Sequence, residues 1–251
     1  MIRWLDEHQP KLLSLIMLMI LATMYSLGFL SASLATLDTG PISAGGFRVI
    51  LASLFLLVVV RVTGVGLVKG AVMWRYAAIY GTVCMAVPFT ILPWTLTYLS
   101  NATAAIYFAV IPIEVLVLSW IFLGSPVSAR KWVGFAIASG GLIFLVLSGA
   151  KGAADTLAGP ELRADSDMPL WVPHLVCILT AICIAIGGVL FQKMPKASPV
   201  AITASALLIG NLIAVPAVLW SPPPAIPSPE GMFWVLVLSL IHISEPTRRI
   251  T

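Results

Sequence analysis

From Leu12 to Leu30 the chain is an almost unbroken run of apolar residues, and similar runs recur along its length between short polar breaks. Each run is close to the ~20 residues that a helix needs to cross a bilayer. Backbone groups in hydrocarbon must find their hydrogen bonds internally, which leaves only helices or closed barrels. A barrel strand alternates polar and apolar positions over about ten residues, and the first run shows no such alternation. The pattern therefore predicts an all-α polytopic membrane protein. Helices are expected over about Leu12–Ser31, Ile42–Val62, Trp74–Tyr98, Ala102–Leu123, Trp132–Gly149, Leu170–Gln192 and Ala201–Trp220, with an eighth beginning near Met232. The longer breaks are the polar stretch Lys151–Pro169 and the proline-rich Ser221–Gly231. The first run exceeds the apolar core of a secretory signal, about 7 to 15 residues, and reads as a retained helix.

Composition agrees with this reading. Of 251 residues, 60% are hydrophobic and 10% charged, against about 45–50% and about 25% in soluble domains. A water-soluble fold has no means of hiding so much apolar surface. Cys84, Cys177 and Cys183 fall inside apolar runs without metal-ligand spacing, so they read as small apolar helix residues and no metal site is expected. Nor is a cofactor expected, because phosphate-loop, dinucleotide and zinc signatures are missing. Hydrolase motifs are missing too, so the chain does not read as an enzyme.

The net charge of +4 is dispersed among loops and forms no stripe that would fit nucleic acid. It reports topology, because loops rich in Lys and Arg stay in the cytoplasm. Nine basic residues fall on one side: Arg3, Lys11, Arg61, Lys69, Arg75, Arg130, Lys131, Lys193 and Lys196. The other side holds only Lys151 and Arg163, among the acids Asp155, Glu161, Asp165 and Asp167. The bias places the N-terminus in the cytoplasm, and the chain is expected in the cytoplasmic (inner) membrane.

An odd unit of five helices forces any second copy to enter the membrane upside down. The link Ser31–Pro41 carries no Lys or Arg and is expected outside; its counterpart Gln192–Pro199 carries two Lys and is expected inside. Each link follows a helix ending near glycine and reaches a proline that opens the next helix, where proline is well tolerated. Inverted repeats of this kind are an architecture of secondary transporters. The alternative is chance similarity between apolar segments.

The stretch Thr97-Tyr98-Leu99-Ser100-Asn101-Ala102-Thr103-Ala104-Ala105, running into Ile111-Pro112-Ile113, resembles the third-to-fourth helix junction of the drug/metabolite transporter superfamily of the EamA type. Phe122-Leu123-Gly124, Trp132-Val133-Gly134, Gly140-Gly141 and Gly46-Phe47-Arg48 are also similar to that family, and the resemblance covers about positions 12 to 220. It implies ten helices in two inverted five-helix repeats and the export or exchange of small metabolites. On this basis residues 12–149 are expected to form the first repeat, 150–169 an external linker and 170–237 a partial second repeat. Ser125 stands where the family often has Glu, so a role for that acid is absent or moved. Leu238 to Arg248 resembles a translated sequencing-library adapter, so residues 238–251 are expected to be an artefactual tail.

Ionisable groups inside a bilayer are costly, about 2.5 to 3.5 kcal/mol each on insertion scales, and are functional suspects for that reason. Glu114 and Arg48 qualify. Glu114 lies roughly 18 Å along the fourth helix, close to the midplane, and Pro112 removes a backbone donor just before it. Charge is unfavourable at that depth, so the carboxyl suits proton uptake and release or the binding of a cationic group. Its structural alternative is a hydrogen bond to a neighbouring helix, for instance to Asn211. Arg48 reads as a snorkelling side chain or an inter-helix tie, or else as a partner for Glu114 or for an anionic substrate. Asn211, Asn101, Thr103 and Tyr107 are further candidates for contact with substrate, although polar residues also tie helices together. His174 reads as an interfacial residue or a titrating gate. Gly134, Ala138 and Gly141 place small residues on one face of the fifth helix, which suits close packing.

The reading that results is a secondary transporter of small organic metabolites or drugs, acting by alternating access, with proton coupling through Glu114 as a separate expectation. Its partners are the lipid bilayer and a small-molecule substrate, with a homodimer allowed and nucleic acid excluded. The rivals are a helical scaffold or partner subunit without transport activity, and a lipid-modifying membrane enzyme.

Overall fold

The computed structural model describes residues 10–124, 127–147, 168–169 and 171–244. All of its regular elements are helical, and no strand occurs among the described residues. The apolar runs become α1 (Pro10–Thr39), α2 (Pro41–Thr63), α3 (Ala71–Ile79) and α4 (Val87–Thr95). They continue as α5 (Asn101–Ala109), α6 (Ile111–Leu123), α7 (Ala129–Leu147), α8 (Trp171–Lys193), α9 (Pro199–Trp220) and α10 (Pro229–Ser244). A π-helical turn, Tyr80–Ala86, joins α3 to α4, so Ala71–Thr95 is one long third span. Likewise α5 and α6 form the fourth span, Asn101–Leu123. Among the described residues, five helices are long and apolar enough to cross a membrane. Prolines open α2 and α9, where the missing N–H has no intrahelical partner to lose.

The end of the first helix corrects the expected boundary. Instead of stopping at Ser31, α1 continues to Thr39, so the expected loop Ser31–Pro41 shrinks to Gly40. There φ is +79°, a conformation glycine adopts without steric penalty. The polar residues of this extension are accommodated by bonding back along the helix. Thr36 Oγ1 donates to the Ala32 carbonyl at 2.7 Å and Thr39 Oγ1 to the Ala35 carbonyl at 2.8 Å. Ala32 and Ala35 are fully buried.

Neighbouring helices pack in directions that fit a serpentine chain. α2 and α9 run antiparallel, with Gly46 against Ala214 and Val218, and Ser53 against Asn211. α1 and α10 are antiparallel too: Asp38 meets Ser228 and Gly231, and Ala35 packs with Val235. The third span crosses α8 antiparallel, Tyr80 reaching Phe191 and Cys84 reaching Gly187. The same span runs parallel to α9, where Gly81 meets Ala206 and Gly210. A side chain at Gly81 would strike the Ala206 carbonyl, so only glycine allows this approach. Finally, the fourth span lies parallel to α8, shown by Tyr107 on His174, Val115 on Gly188 and Ser119 on Gln192.

These directions place Gly40, Ser100, Trp171 and Ser221 at one end of the molecule, here the Gly40 end, and Thr63, Gly124 and Lys193 at the other, the Lys193 end. Arg61, Lys69, Arg75, Arg130, Lys131, Lys193 and Lys196 all belong to the Lys193 end.

The largest apolar cluster joins Val49, Leu56, Met85, Phe89 and Leu207 between α2, the third span and α9. A second joins Phe29, Leu92, Leu96, Tyr107, Phe108, Cys177 and Leu238. Thus α10 runs through Leu238, which is fully buried. Residues 245–251 of the expected tail, most of the expected linker, Arg3, Lys11 as a side chain and Ser125 lie outside what is described. The expected close packing of the fifth helix is not seen: among the described residues, a Cβ built at Gly134 or Gly141 meets nothing within 4 Å.

Candidate functional site

The fourth span is broken where its sequence says it should be. Pro112 has no N–H to offer the Phe108 carbonyl, and the helix divides at Val110 into α5 and α6. Ser100 opens the span in an extended conformation, its hydroxyl accepting from Thr103 N at 3.1 Å. The Thr103 hydroxyl lies 2.9 Å from the same oxygen. Thr103 is therefore committed to the helix cap.

Glu114 follows the break within the first turn of α6. Its Oε2 is buried and has no hydrogen-bond partner among the described residues. The expected alternatives for satisfying it are not formed. Asn211 donates instead to Ser53 Oγ at 3.0 Å, while its own Oδ1 is buried without a partner among the described residues. Arg48 is buried, 5% exposed, and its guanidinium sits 4.3 Å from the centre of the Phe89 ring. That cation–π contact ties α2 to α4, which is the inter-helix reading of Arg48; the pairing with Glu114 is absent.

Two of the expected residues come together at a cavity. Asn101 and Pro112 line a space of about 610 Å³ between α1 and the fourth span, with Tyr25, Ser26, Phe29 and Phe108. Phe29 and Phe108 meet edge to face at 5.3 Å. Ser33 Oγ donates to Asn101 Oδ1 at 2.7 Å, which fixes the amide. Among the described residues, no charged side chain lines the cavity.

Tyr107 points away from this cavity. Its hydroxyl is 2.8 Å from His174 Nδ1 on α8, and the two rings meet edge to face at 5.8 Å. Further along the same helix pair, Gln192 Nε2 donates to Ser119 Oγ at 3.3 Å. Sequence reasoning missed Ser119, Gln192 and the cavity residues of α1. It also missed Ser33, the partner of Asn101, which falls in an expected loop. Among the described residues no cluster of His, Cys, Asp and Glu is arranged to hold a metal ion.

Residues 12–147 match the family described as the EamA-like transporter family, a stretch that covers more than half of the 251 residues and spans α1 through α7. No curated protein and no solved structure gives a match. The agreement of that match with an all-helical, multi-pass architecture identifies the chain: it belongs to the EamA-like transporter family and is a membrane transporter of small molecules.

Proposed function

We propose that the chain is a secondary transporter that moves a small organic metabolite or drug outward by alternating access, from two five-helix units inserted in opposite senses. The observation that carries this reading is the way helix pairs map onto one another. Exchanging the first span for the sixth, the second for the seventh and the third for the eighth turns the α1–α10 contact into that between α8 and the third span. The same exchange turns the α2–α10 contact into that between α9 and the third span, and returns the antiparallel α2–α9 pair to itself. Relative helix directions are preserved in these three pairs, whereas the packing of α2 on the third span has no comparable counterpart between α9 and α10 among the described residues. A transporter of this type places its substrate near the midplane between such units.

The collection of Lys and Arg at the Lys193 end favours that end as cytoplasmic and the Gly40 end as external. The cavity beside Asn101 and Pro112 falls within the ~300–1,000 Å³ range of small-molecule sites. Its aromatic and amide lining suits an organic solute. Glu114, whose Oε2 is buried without a hydrogen-bond partner among the described residues, supports a role in proton coupling. The test is uptake by vesicles containing the purified protein, against a panel of labelled amino acids, nucleosides and aromatic drugs. Flux of at least one solute above protein-free vesicles is expected, driven by a pH gradient and losing that dependence in Glu114→Gln. No solute moving above background sinks the transport reading. Flux with unaltered pH dependence in Glu114→Gln sinks only the coupling.

A further inference from the structure

Among the described residues, the parallel seam between the fourth span and α8 carries one cross-helix tie, a side-chain hydrogen bond, toward each end, with Glu114 between them along the span. Toward the Gly40 end, Tyr107 bonds His174 at 2.8 Å; toward the Lys193 end, Gln192 bonds Ser119 at 3.3 Å. Glu114 lies in the first turn after the break at Val110, and it directly precedes Val115, which packs on Gly188. Around the ties the seam is apolar: Ile111, Ile178 and Ile184 pack in the cluster with Tyr107 and Cys177. Water reaching Glu114 along the seam must therefore break the tie at the end from which it enters.

We propose that Tyr107–His174 and Ser119–Gln192 are the two gates of Glu114, the first closing its access to the Gly40 end and the second its access to the Lys193 end. Each tie has one hydrogen bond between helices, joined at Tyr107–His174 by the edge-to-face ring contact, and inter-helix hydrogen bonds in membrane proteins are individually weak. Such weak ties can be broken and remade as a transporter cycles, whereas the apolar packing beside them stays. The break at Val110 supplies the joint: α5 carries Tyr107 and α6 carries Ser119, so the two halves of the span can leave α8 separately. The other titratable groups near this seam are Cys177 and Cys183 on α8, Lys193 in its last turn, and Tyr80 and Cys84 on the π turn packed against α8. Among these only Lys193 carries a fixed charge, and it sits beyond Gln192 at the end of the helix.

The proposal rests on the reading of Glu114 as a proton-exchanging group, and the experiment separates the two. Purified full-length chain is reconstituted with one orientation into vesicles whose internal and external pH are set independently. N,N′-dicyclohexylcarbodiimide, which modifies protonated carboxyls in apolar surroundings, is added, and the Glu114 peptide is quantified by mass spectrometry. In Tyr107→Phe and His174→Gln, labelling is expected to follow the pH on the Gly40 side, falling several-fold as that side is made alkaline. In Ser119→Ala and Gln192→Leu it is expected to follow the pH on the Lys193 side. Either pair of variants responding to the opposite side, or labelling in all four tracking the same side as the unaltered protein, overturns the gates while leaving Glu114 as the exchanging group. Failure of Glu114 to label in any protein at any pH overturns that role and the gates with it.

Discussion

Asn211 and Ser53 share a hydrogen bond of 3.0 Å across the antiparallel pair α9 and α2, and Asn211 keeps a second polar atom, Oδ1, buried and unpartnered among the described residues. The amide is thus half satisfied at the crossing of the second and seventh spans. Inter-helix hydrogen bonds in membrane proteins contribute about 0.6 kcal/mol on average and up to about 1.7. Ser53→Ala, Asn211→Ala and the double variant, compared by thermal unfolding in detergent, are expected to give a coupling energy in this range. Asn211→Leu is expected to destabilise less than Ser53→Ala does, because it removes both the donor and the orphaned oxygen. The reverse order would mean that Oδ1 finds a partner in the folded protein.

At Gly81 the third span touches the backbone of α9, where a Cβ would strike the Ala206 carbonyl. Backbone yields poorly, so overpacking of this kind costs about 1–3 kcal/mol or more. Gly81→Val is expected to lower the midpoint of thermal unfolding sharply or to prevent recovery of monodisperse protein. Gly134→Ala, in open space, is expected to leave both unchanged.

Ser100 caps the fourth span through its hydroxyl. Replacing such a cap by alanine costs about 0.5–2 kcal/mol, and by glycine only a few tenths. The expected order of stability is therefore Ser100 above Ser100→Gly above Ser100→Ala, read by denaturant or thermal unfolding. Equal loss in both variants would show that the hydroxyl contributes through something other than the cap.

Asp38 at the end of α1 accepts from Ser228 N at 2.6 Å, and the Ser228 hydroxyl in turn accepts from Gly231 N at 3.0 Å, opening α10. A carboxylate beside a helix N-terminus contributes about 0.3–1 kcal/mol. Asp38→Ala is expected to loosen α10 from α1, seen as faster amide exchange across residues 229–240, while Asp38→Asn retains some of the protection. Unchanged exchange in Asp38→Ala would show that apolar packing around Val235 and Leu238 holds α10 alone.

How much of this was legible depended on the range of the interaction concerned. The spans were readable because crossing a bilayer is a local demand on consecutive residues, and α2, α8 and α9 begin and end within three residues of expectation. The break in the fourth span was equally local, written in Pro112. The first helix outruns its expected end because Ser31, Ser33, Thr36 and Thr39 look like loop residues one at a time. Thr36 and Thr39, bonding back to the helix, and Ser33, bonding to Asn101, are ordinary helix residues. Partner choice was not legible. Nothing near Tyr107 names His174, 67 residues away, and nothing near Asn211 selects Ser53 over Glu114. Such choices follow from which helices lie side by side, a property of the whole arrangement. The π turn left no signal either, since Tyr80–Ala86 has the composition of any apolar helix.

That turn sets the rotation of everything after it in the third span. A π turn takes up one residue more than the α-helical path would, so α4 presents the faces it would have if that residue were absent. Were the turn to relax to α-helix with the residue count unchanged, α4 would swing by about 100° relative to α3. Phe89 would then leave its place beneath Arg48, and Thr90 its place against Gly45. Deleting one residue between Tyr80 and Ala86 would instead straighten the helix and keep both faces in register. The third span can thus lose a residue at the turn more readily than it can lose the turn itself.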